Sequence, residues 1–324
     1  LTPTPSAHWR RPTAGSPIPP HRRAAAPRAA ATRNAHVPEP AAAPQPVHAL
    51  TIDVEEHFHA HALARWYPPG SWGRLDSRVA ASTGRLLDLL AAAGARATCF
   101  VLGWVAERQP RLVRRIVAEG HELASHGYGH EALPALDRAR FRADLERAKG
   151  LLEDIAGLPV HGYRAPSFSL GPATPWAHAV LAETGHRYSS STHPVSLARY
   201  RSAGAPRRAH RTEGVLEIPV STLPAGPFGN LPFAGGAWFR LLPAAWSQRA
   251  LARAAHAGET PVVFYLHPWE LDPDQPRPAG LDAATRLRHY GGLAAVEGRL
   301  RRLLALARWD RLDRAHPALA AGGP

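Results

Sequence analysis

"HALTIDVEEHFHAH", residues 48–61, runs from a short apolar segment directly into a dense polar one. Within residues 51–61 stand three carboxylates (Asp53, Glu55, Glu56) and three histidines (His57, His59, His61). "HALTIDV" reads as a strand. Successive strand side chains point to opposite faces, so Asp53 and Glu55 share one side while Val54 faces the other. His57, His59 and His61 lie past the strand and read as a solvated loop face.

Working outward, short apolar runs alternate with helical patterns. "STGRLLDLLAAAGA" is an amphipathic helix with Leu86, Leu87, Leu89 and Leu90 on its buried side, and "RATCFVLG" is the next strand. "PRLVRRIVAEG" is a helix ending at Gly120, "HELAS" a short strand, and "DRARFRADLERAKGLLEDIAG" an amphipathic helix stopped by Gly157 and Pro159. "VLEIPVS" and "PVVFYLHP" are later strands, with a helix around 243–257 between them and one long helix from about 283 to 308. This rhythm predicts an α/β fold with a parallel, buried sheet, open or closed into a barrel. Residues 1–47 are Pro, Ala and Arg without periodicity and read as a disordered extension. A catalytic domain is expected over 48–314 and a tail over 315–324. No signal-peptide apolar region can be drawn in the extension, so a cytoplasmic location is the expectation.

The 324 residues carry a formal charge of +13, which raises a nucleic-acid reading. The excess is nearly all arginine, Lys149 being the only lysine, and much of it falls in the extension and the last helix. No basic stripe interleaved with aromatics appears, so nucleic acid is not the expected partner. No run of 18 or more apolar residues exists, so no transmembrane span is expected. Cys99 is alone, which excludes a disulfide framework, and its apolar surroundings read as a buried strand.

In parallel sheets the chemistry collects at the C-terminal ends of the strands. Four polar clusters fall just after strand patterns: Asp53 and Glu55; His126 and His130 in "SHGYGH"; Arg164 and Pro166 in "GYRAPSF"; and His267 in "FYLHPWE". Singly, each has an ordinary reading. A histidine pair at i and i+4 arises by chance, and His267 could be a satisfied core residue. Gathered at one sheet edge, two imidazoles, a carboxylate and an open position make a hydrolytic metal site.

These motifs resemble the polysaccharide deacetylase family, the NodB-homology carbohydrate esterases. Its marks are an Asp-bearing first segment, H-x3-H, R-x-P and a late L-H. "TIDVEEHF", "ATCFVLGWVAERQPRLVRRIVAEGHELASHGYGH", "LEIPVSTLP", "FYLHPWELDPDQPRP" and "RLRHYGGL" are closer still to the subfamily of exosortase and PEP-CTERM exopolysaccharide loci, which has its own C-terminal extension. The resemblance runs from about 48 to 312. It implies a distorted (β/α) barrel and a divalent metal, zinc by its two-histidine, one-carboxylate set. It further implies hydrolysis of N-acetyl groups on an N-acetylated polysaccharide or oligosaccharide, in association with exopolysaccharide synthesis. By motif, Asp53 is the general base, Arg164 holds it, His126 and His130 are metal ligands, and His267 is the general acid. The third ligand is Glu55 by the period-two argument, with Glu56 the alternative. Pro166, Trp269 and His59 are assigned to substrate contacts. Relatives often have Tyr-Asp-Ser-Ser where this chain has "YSSS", so Ser189 stands in for a carboxylate that tunes the acid histidine. Phe228, Phe233, Trp238 and Phe239 read equally as sugar-stacking rings or as core. The alternatives are an amidohydrolase for peptidoglycan or a small amide, and a non-catalytic glycan-binding relative.

Overall fold

In the computed structural model, which describes residues 46–195, 202 and 204–320, the opening stretch forms strand β1, Val47–Val54. Every residue of it after Val47 is buried, as a parallel strand covered on both faces requires. The strand takes in Val47, one residue before the expected domain boundary; the rest of the expected extension, 1–45, lies outside the described residues.

Ten further strands follow: β2 (Thr98–Val101), β3 (Glu122–Ser125), β4 (Gly162–Tyr163), β5 (Tyr188–Ser189), β6 (His210–Thr212), β7 (Val215–Glu217), β8 (Thr222–Pro224), β9 (Asn230–Pro232), β10 (Val263–Leu266) and β11 (Arg308–Asp310). The main sheet is ordered β10-β1-β2-β3-β4-β5-β7-β6, parallel throughout except for β6. Strand β11 adds to the start of β1, and β8 pairs with β9 in a separate hairpin. Past β7, the Ser221 N–H donates to Val263 O (3.2 Å) and the Ser221 hydroxyl accepts from the Val263 N–H (2.9 Å). These two bonds draw the last parallel strand toward β10, and the sheet curls into a distorted barrel.

Helices cover the outside: α1 (Val79–Ala92), α2 (Gly103–Arg108), α3 (Pro110–Ala118), α4 (Arg138–Ala156), α5 (Ala177–Glu183), α6 (Gly236–Leu241), α7 (Ala244–His256), α8 (Ala283–Tyr290) and α9 (Val296–Leu306). Helix α4 shows how the sequence sets its ends. The Asp137 carboxylate caps the Arg140 N–H (2.8 Å), and Gly157 closes the last turn with a left-handed φ of 66°. Phe141, Leu145, Ala148 and Leu152 recur on one stripe and are fully buried, each large side chain contributing about 1.5–3 kcal/mol. No described helix is long and apolar enough to cross a membrane.

The expected helix over 283–308 is broken in two. Arg240 reaches the end of α8 and donates to the carbonyls of Arg288 (2.8 Å), His289 (2.9 Å) and Gly291 (2.7 Å). Those carbonyls therefore end the helix instead of continuing it, and Gly292 turns the chain at φ 73°, where a Cβ would lie 2.5 Å from Arg240 O. The expected tail also differs. Residues 312–320 form two short helical turns, and Ala315 and Leu319 pack against the cluster of Leu312, Ile218 and Val263.

The C-terminal half docks on β10 through a glycine. Tyr265 N–H donates to Ala234 O (3.0 Å), and Gly235 bridges Tyr265 in parallel. With φ 125° and room for a Cβ only 1.9 Å from Tyr265 O, this position accepts glycine alone. Gly235→Ala is therefore expected to cost about 3 kcal/mol or more, read as a lowered urea midpoint, whereas Gly150→Ala on α4, which meets nothing, stabilises or is neutral.

Candidate active site and metal centre

The ends of β1, β3 and β10 and the loop after β4 surround a cavity of about 180 Å³ on the C-terminal side of the sheet. Asp53, Glu55, His126, His130 and His267 all line it. Four non-glycine residues among those described have a left-handed φ, and three of them, His130 (54°), Ser167 (56°) and Phe168 (52°), are cavity residues. Backbone held in that region costs free energy and collects where function requires it.

His126 and His130 do not share a helical turn. Gly127 (φ 73°) and His130 fold the "SHGYGH" loop so that both imidazoles turn toward Glu55. One ligand atom from each of Glu55, His126 and His130 falls within 4.8 Å of the others. The His130 Nε2 lies 2.7 Å and the His126 Nε2 3.9 Å from Glu55 Oε2. The Nδ1 of His126 is 2.8 Å from Arg164 O, a group that only accepts. Nδ1 therefore carries the proton, and Nε2 faces the cavity as a lone pair. Burial first, then the His130 charge, holds His126 down at about 4 against the carboxylates, so it stays neutral, the form that binds a metal. Trp269 donates its indole N–H to Glu55 Oε1 (3.0 Å), fixing the carboxylate. Two imidazoles and an anchored carboxylate fit a divalent ion with coordination positions to spare. Glu56 points elsewhere, accepting from the Ser77 hydroxyl (2.5 Å) and the Arg78 N–H (3.0 Å).

Beside this trio, Asp53 Oδ1 accepts from the Arg164 guanidinium (2.7 Å), both groups being buried. Opposite stands His267, whose Nε2 is 3.9 Å from Asp53 Oδ2 and 3.8 Å from Glu55 Oε1. Its Nδ1 meets Glu270 Oε2 at 3.2 Å, and the same oxygen accepts the His267 N–H (2.9 Å). Glu270 is bound in turn by the Arg240 Nε (2.6 Å). Burial alone would depress the His267 pKa; the Glu270 hydrogen bond and the charges of Glu270, Glu55 and Asp53 outweigh it and raise the pKa to about 9. One side of the cavity thus holds a carboxylate and the other an imidazolium, the halves of an acid–base pair.

The sequence model of the polysaccharide deacetylase family matches residues 73–189. The chain carries a polysaccharide deacetylase domain. A second model, a domain of unknown function named DUF3473, matches residues 190–316. Over 84 residues the chain is 33% identical to a peptidoglycan-N-acetylglucosamine deacetylase of Bacillus cereus, covering 26% of this chain and 30% of that protein. Over 65 residues it is 45% identical to a chitooligosaccharide deacetylase of Sinorhizobium fredii, covering 20% and 28%. The chain thus matches less than a third of the length of these relatives. In fold it is similar to a Mycobacterium smegmatis protein solved as a candidate polysaccharide deacetylase, with TM-score 0.55, 22% identity and coverage of 86% of this chain and 95% of that one.

Of the residues assigned to chemistry from sequence, the structure brings Asp53, Glu55, His126, His130, Arg164 and His267 together. The three assigned to substrate contacts sit differently. His59 is buried, not at the rim: its ring lies against Trp72 (4.4 Å) and Trp104 (5.0 Å), and its Nδ1 accepts the Glu56 N–H (3.2 Å). His57 is buried too, and only His61 is exposed on the cavity wall, because the chain turns inward in a short 3-10 segment at His57–His59. Pro166 is buried behind the wall that Ser167 and Phe168 form. Trp269 does line the cavity, but it is clamped between His267 (4.8 Å) and His289 (4.5 Å) and serves Glu55. Phe233 and Phe239 are core; the side chain of Phe228 lies outside the described residues. Ser189 is buried and bonds Ser191 (2.7 Å), and the carboxylate on His267 is Glu270, three residues after it. The "HPWE" spacing was the available signal for Glu270; nothing local pointed to Arg240.

Loss of a ligand separates the two glutamates. Glu55→Ala and His126→Ala are expected to abolish stoichiometric metal uptake measured by mass spectrometry of the purified protein. Glu56→Ala is expected to keep the metal and lose stability through the uncapped Ser77–Arg78 turn. Retained metal in Glu55→Ala would remove it from the ligand set.

Proposed function

We propose that this chain is a divalent-metal-dependent deacetylase that removes N-acetyl groups from an N-acetylated glycan. The observation that carries this reading is the convergence on one cavity of the Glu55–His126–His130 trio, the Asp53–Arg164 pair and the His267–Glu270–Arg240 series. The deacetylase family match and the two deacetylase relatives support it. The DUF3473 match supports the narrower reading, an exopolysaccharide substrate and association with its synthesis machinery. Zinc is the metal we favour, on the donor set.

A divalent ion held by Glu55, His126 and His130 would polarise a water and the acetamide carbonyl as a Lewis acid. Asp53 takes the proton of the attacking water, and Arg164 keeps that carboxylate aimed into the cavity. His267 gives the proton from Nε2 to the departing amine, and Glu270 holds its Nδ1 and its charge. Base and acid flank the same space, so one acetamide can meet both.

Acetate release from N-acetylated oligosaccharides, followed by a coupled assay, is expected to stop with a chelator and return with zinc. His267→Ala should keep the metal and slow release on the order of a hundredfold. A metal-loaded His267→Ala protein with wild-type rates would sink the acid assignment. Glu270→Gln removes the charge that raises the His267 pKa, so the imidazolium deprotonates at lower pH. Its alkaline limb should therefore move to lower pH while the acidic limb stays, in pH–rate profiles of the two proteins.

A further inference from the structure

The rim of the cavity is more basic than its floor. The carboxylates lining it are Asp53 and Glu55, both at the floor and both engaged, by Arg164 and by His130 with Trp269. His61, on a turn that packs against α8, and Arg288, near the end of α8, also line the cavity, and both are exposed. The Arg288 guanidinium has no carboxylate partner among the described residues. Its anchor is rigid: the Arg288 carbonyl accepts from Arg240 (2.8 Å), the buried arginine that also holds Glu270 behind the acid histidine. The next residue, His289, is stacked on Trp269 and bonded to Gln275 (2.9 Å). The backbone that carries an exposed guanidinium is thereby held beside the reaction centre, and no further carboxylate among the described residues lines the cavity to neutralise it.

We infer that Arg288 is a specificity residue and that the glycan taken by this site carries an acidic group, carboxylate or phosphate, on or next to the N-acetylated sugar. The inference rests on the deacetylase reading and names the class of glycan within it. A guanidinium binds either anion through two parallel N–H donors, which a neutral sugar hydroxyl does not match. The acidic group lies outside the cavity, so it contributes to binding and leaves the bond broken unchanged.

The test compares metal-loaded wild type with Arg288→Ala, Arg288→Lys and Arg288→Glu. The probes are chitotetraose, a hyaluronan tetrasaccharide (carboxylate) and chitotetraose bearing a 6-phosphate. Acetate release gives kcat/KM, and calorimetry gives affinity independently of turnover. The acidic-to-neutral ratio of kcat/KM is expected to exceed one in the wild type and to fall roughly fivefold in Arg288→Ala, the scale of an exposed ion pair. Arg288→Lys should retain part of it and Arg288→Glu should reverse it. The change should reside in KM and shrink in high salt. Whichever acidic probe gains shows whether the anion is carboxylate or phosphate. A ratio shared by all four proteins overturns the inference. If no probe yields acetate even from the wild type, the deacetylase reading fails. Calorimetry then decides on Arg288: an affinity for the acidic probes lost with the side chain upholds it, and equal affinities overturn it.

Discussion

Arg164 is the constraint on which the rest of this structure depends. Among the described residues it heads the fully buried side chains by volume, and each of its three guanidinium nitrogens is hydrogen-bonded. Nε donates to Ser190 O (2.9 Å), one terminal nitrogen to Thr51 Oγ1 (2.8 Å) and Asp53 Oδ1 (2.7 Å), and the other to Ser190 Oγ (2.8 Å). The Phe100 ring lies 4.2 Å beneath it. Its backbone is equally committed, the N–H to Ser125 O (2.9 Å) and the carbonyl to His126 Nδ1 (2.8 Å). One residue therefore joins β1, β3, β4 and the chain leaving β5, and orients both the Asp53 carboxylate and the His126 ring. A buried ion pair is no guarantee of stability, yet losing one partner strands the other charge at a cost of roughly 3–5 kcal/mol. The geometry of the cavity and the fold are for this reason hard to change separately.

A second buried arginine does the same on the His267 side. Arg240 binds Glu270 and ends α8, so the partner of His267 and the cavity wall share one anchor. The two family matches meet between residues 189 and 190, but the chemistry does not divide there. His126, His130 and Arg164 lie in the first; Arg240, His267 and Glu270 lie in the second; Asp53 and Glu55 precede both. Even Arg164 leans on the second segment, since Glu217 accepts the Ser191 (2.8 Å) and Thr192 (2.9 Å) N–H groups and so fixes the turn that carries Ser190. The region matched by the domain of unknown function is here part of the barrel and of its site, supplying strands β7 and β10 and His267.

What could be read from sequence follows from how local each cause is. Strand alternation is a two-residue rule, so the separation of Asp53 and Glu55 from Val54, and of Glu55 from Glu56, was visible in "TIDVEE". Helix α4 was visible because its cap, its stripe and its terminal glycine all lie within it. The break after α8 was not, because its cause is a guanidinium about fifty residues earlier in the chain. His57 and His59 misled for a related reason: a polar run after a strand is ordinarily wet, and what buries these two is Tyr67, Trp72 and Trp104, brought in by later segments. The carboxylate behind His267 was sought at Ser189 by motif, whereas the chain supplies it from Glu270 in the turn that follows β10.

The histidines of this site show why position on a motif does not by itself set a role. In His126, Nδ1 gives its proton to a carbonyl, so burial prevails and the ring stays neutral with a lone pair on Nε2. In His267, Nδ1 faces a carboxylate held by an arginine, so the charge is retained against the same burial and Nε2 bears a proton to give. In His59, Nδ1 accepts a backbone N–H, and burial pushes its pKa well below the ordinary value, leaving a neutral ring packed among aromatics. Desolvation is the largest influence on all three and acts in one direction. The difference between the two neutral rings and the charged one is therefore carried by the atom bonded to Nδ1: a carbonyl or a backbone N–H leaves burial in command, and a carboxylate held by an arginine overrides it.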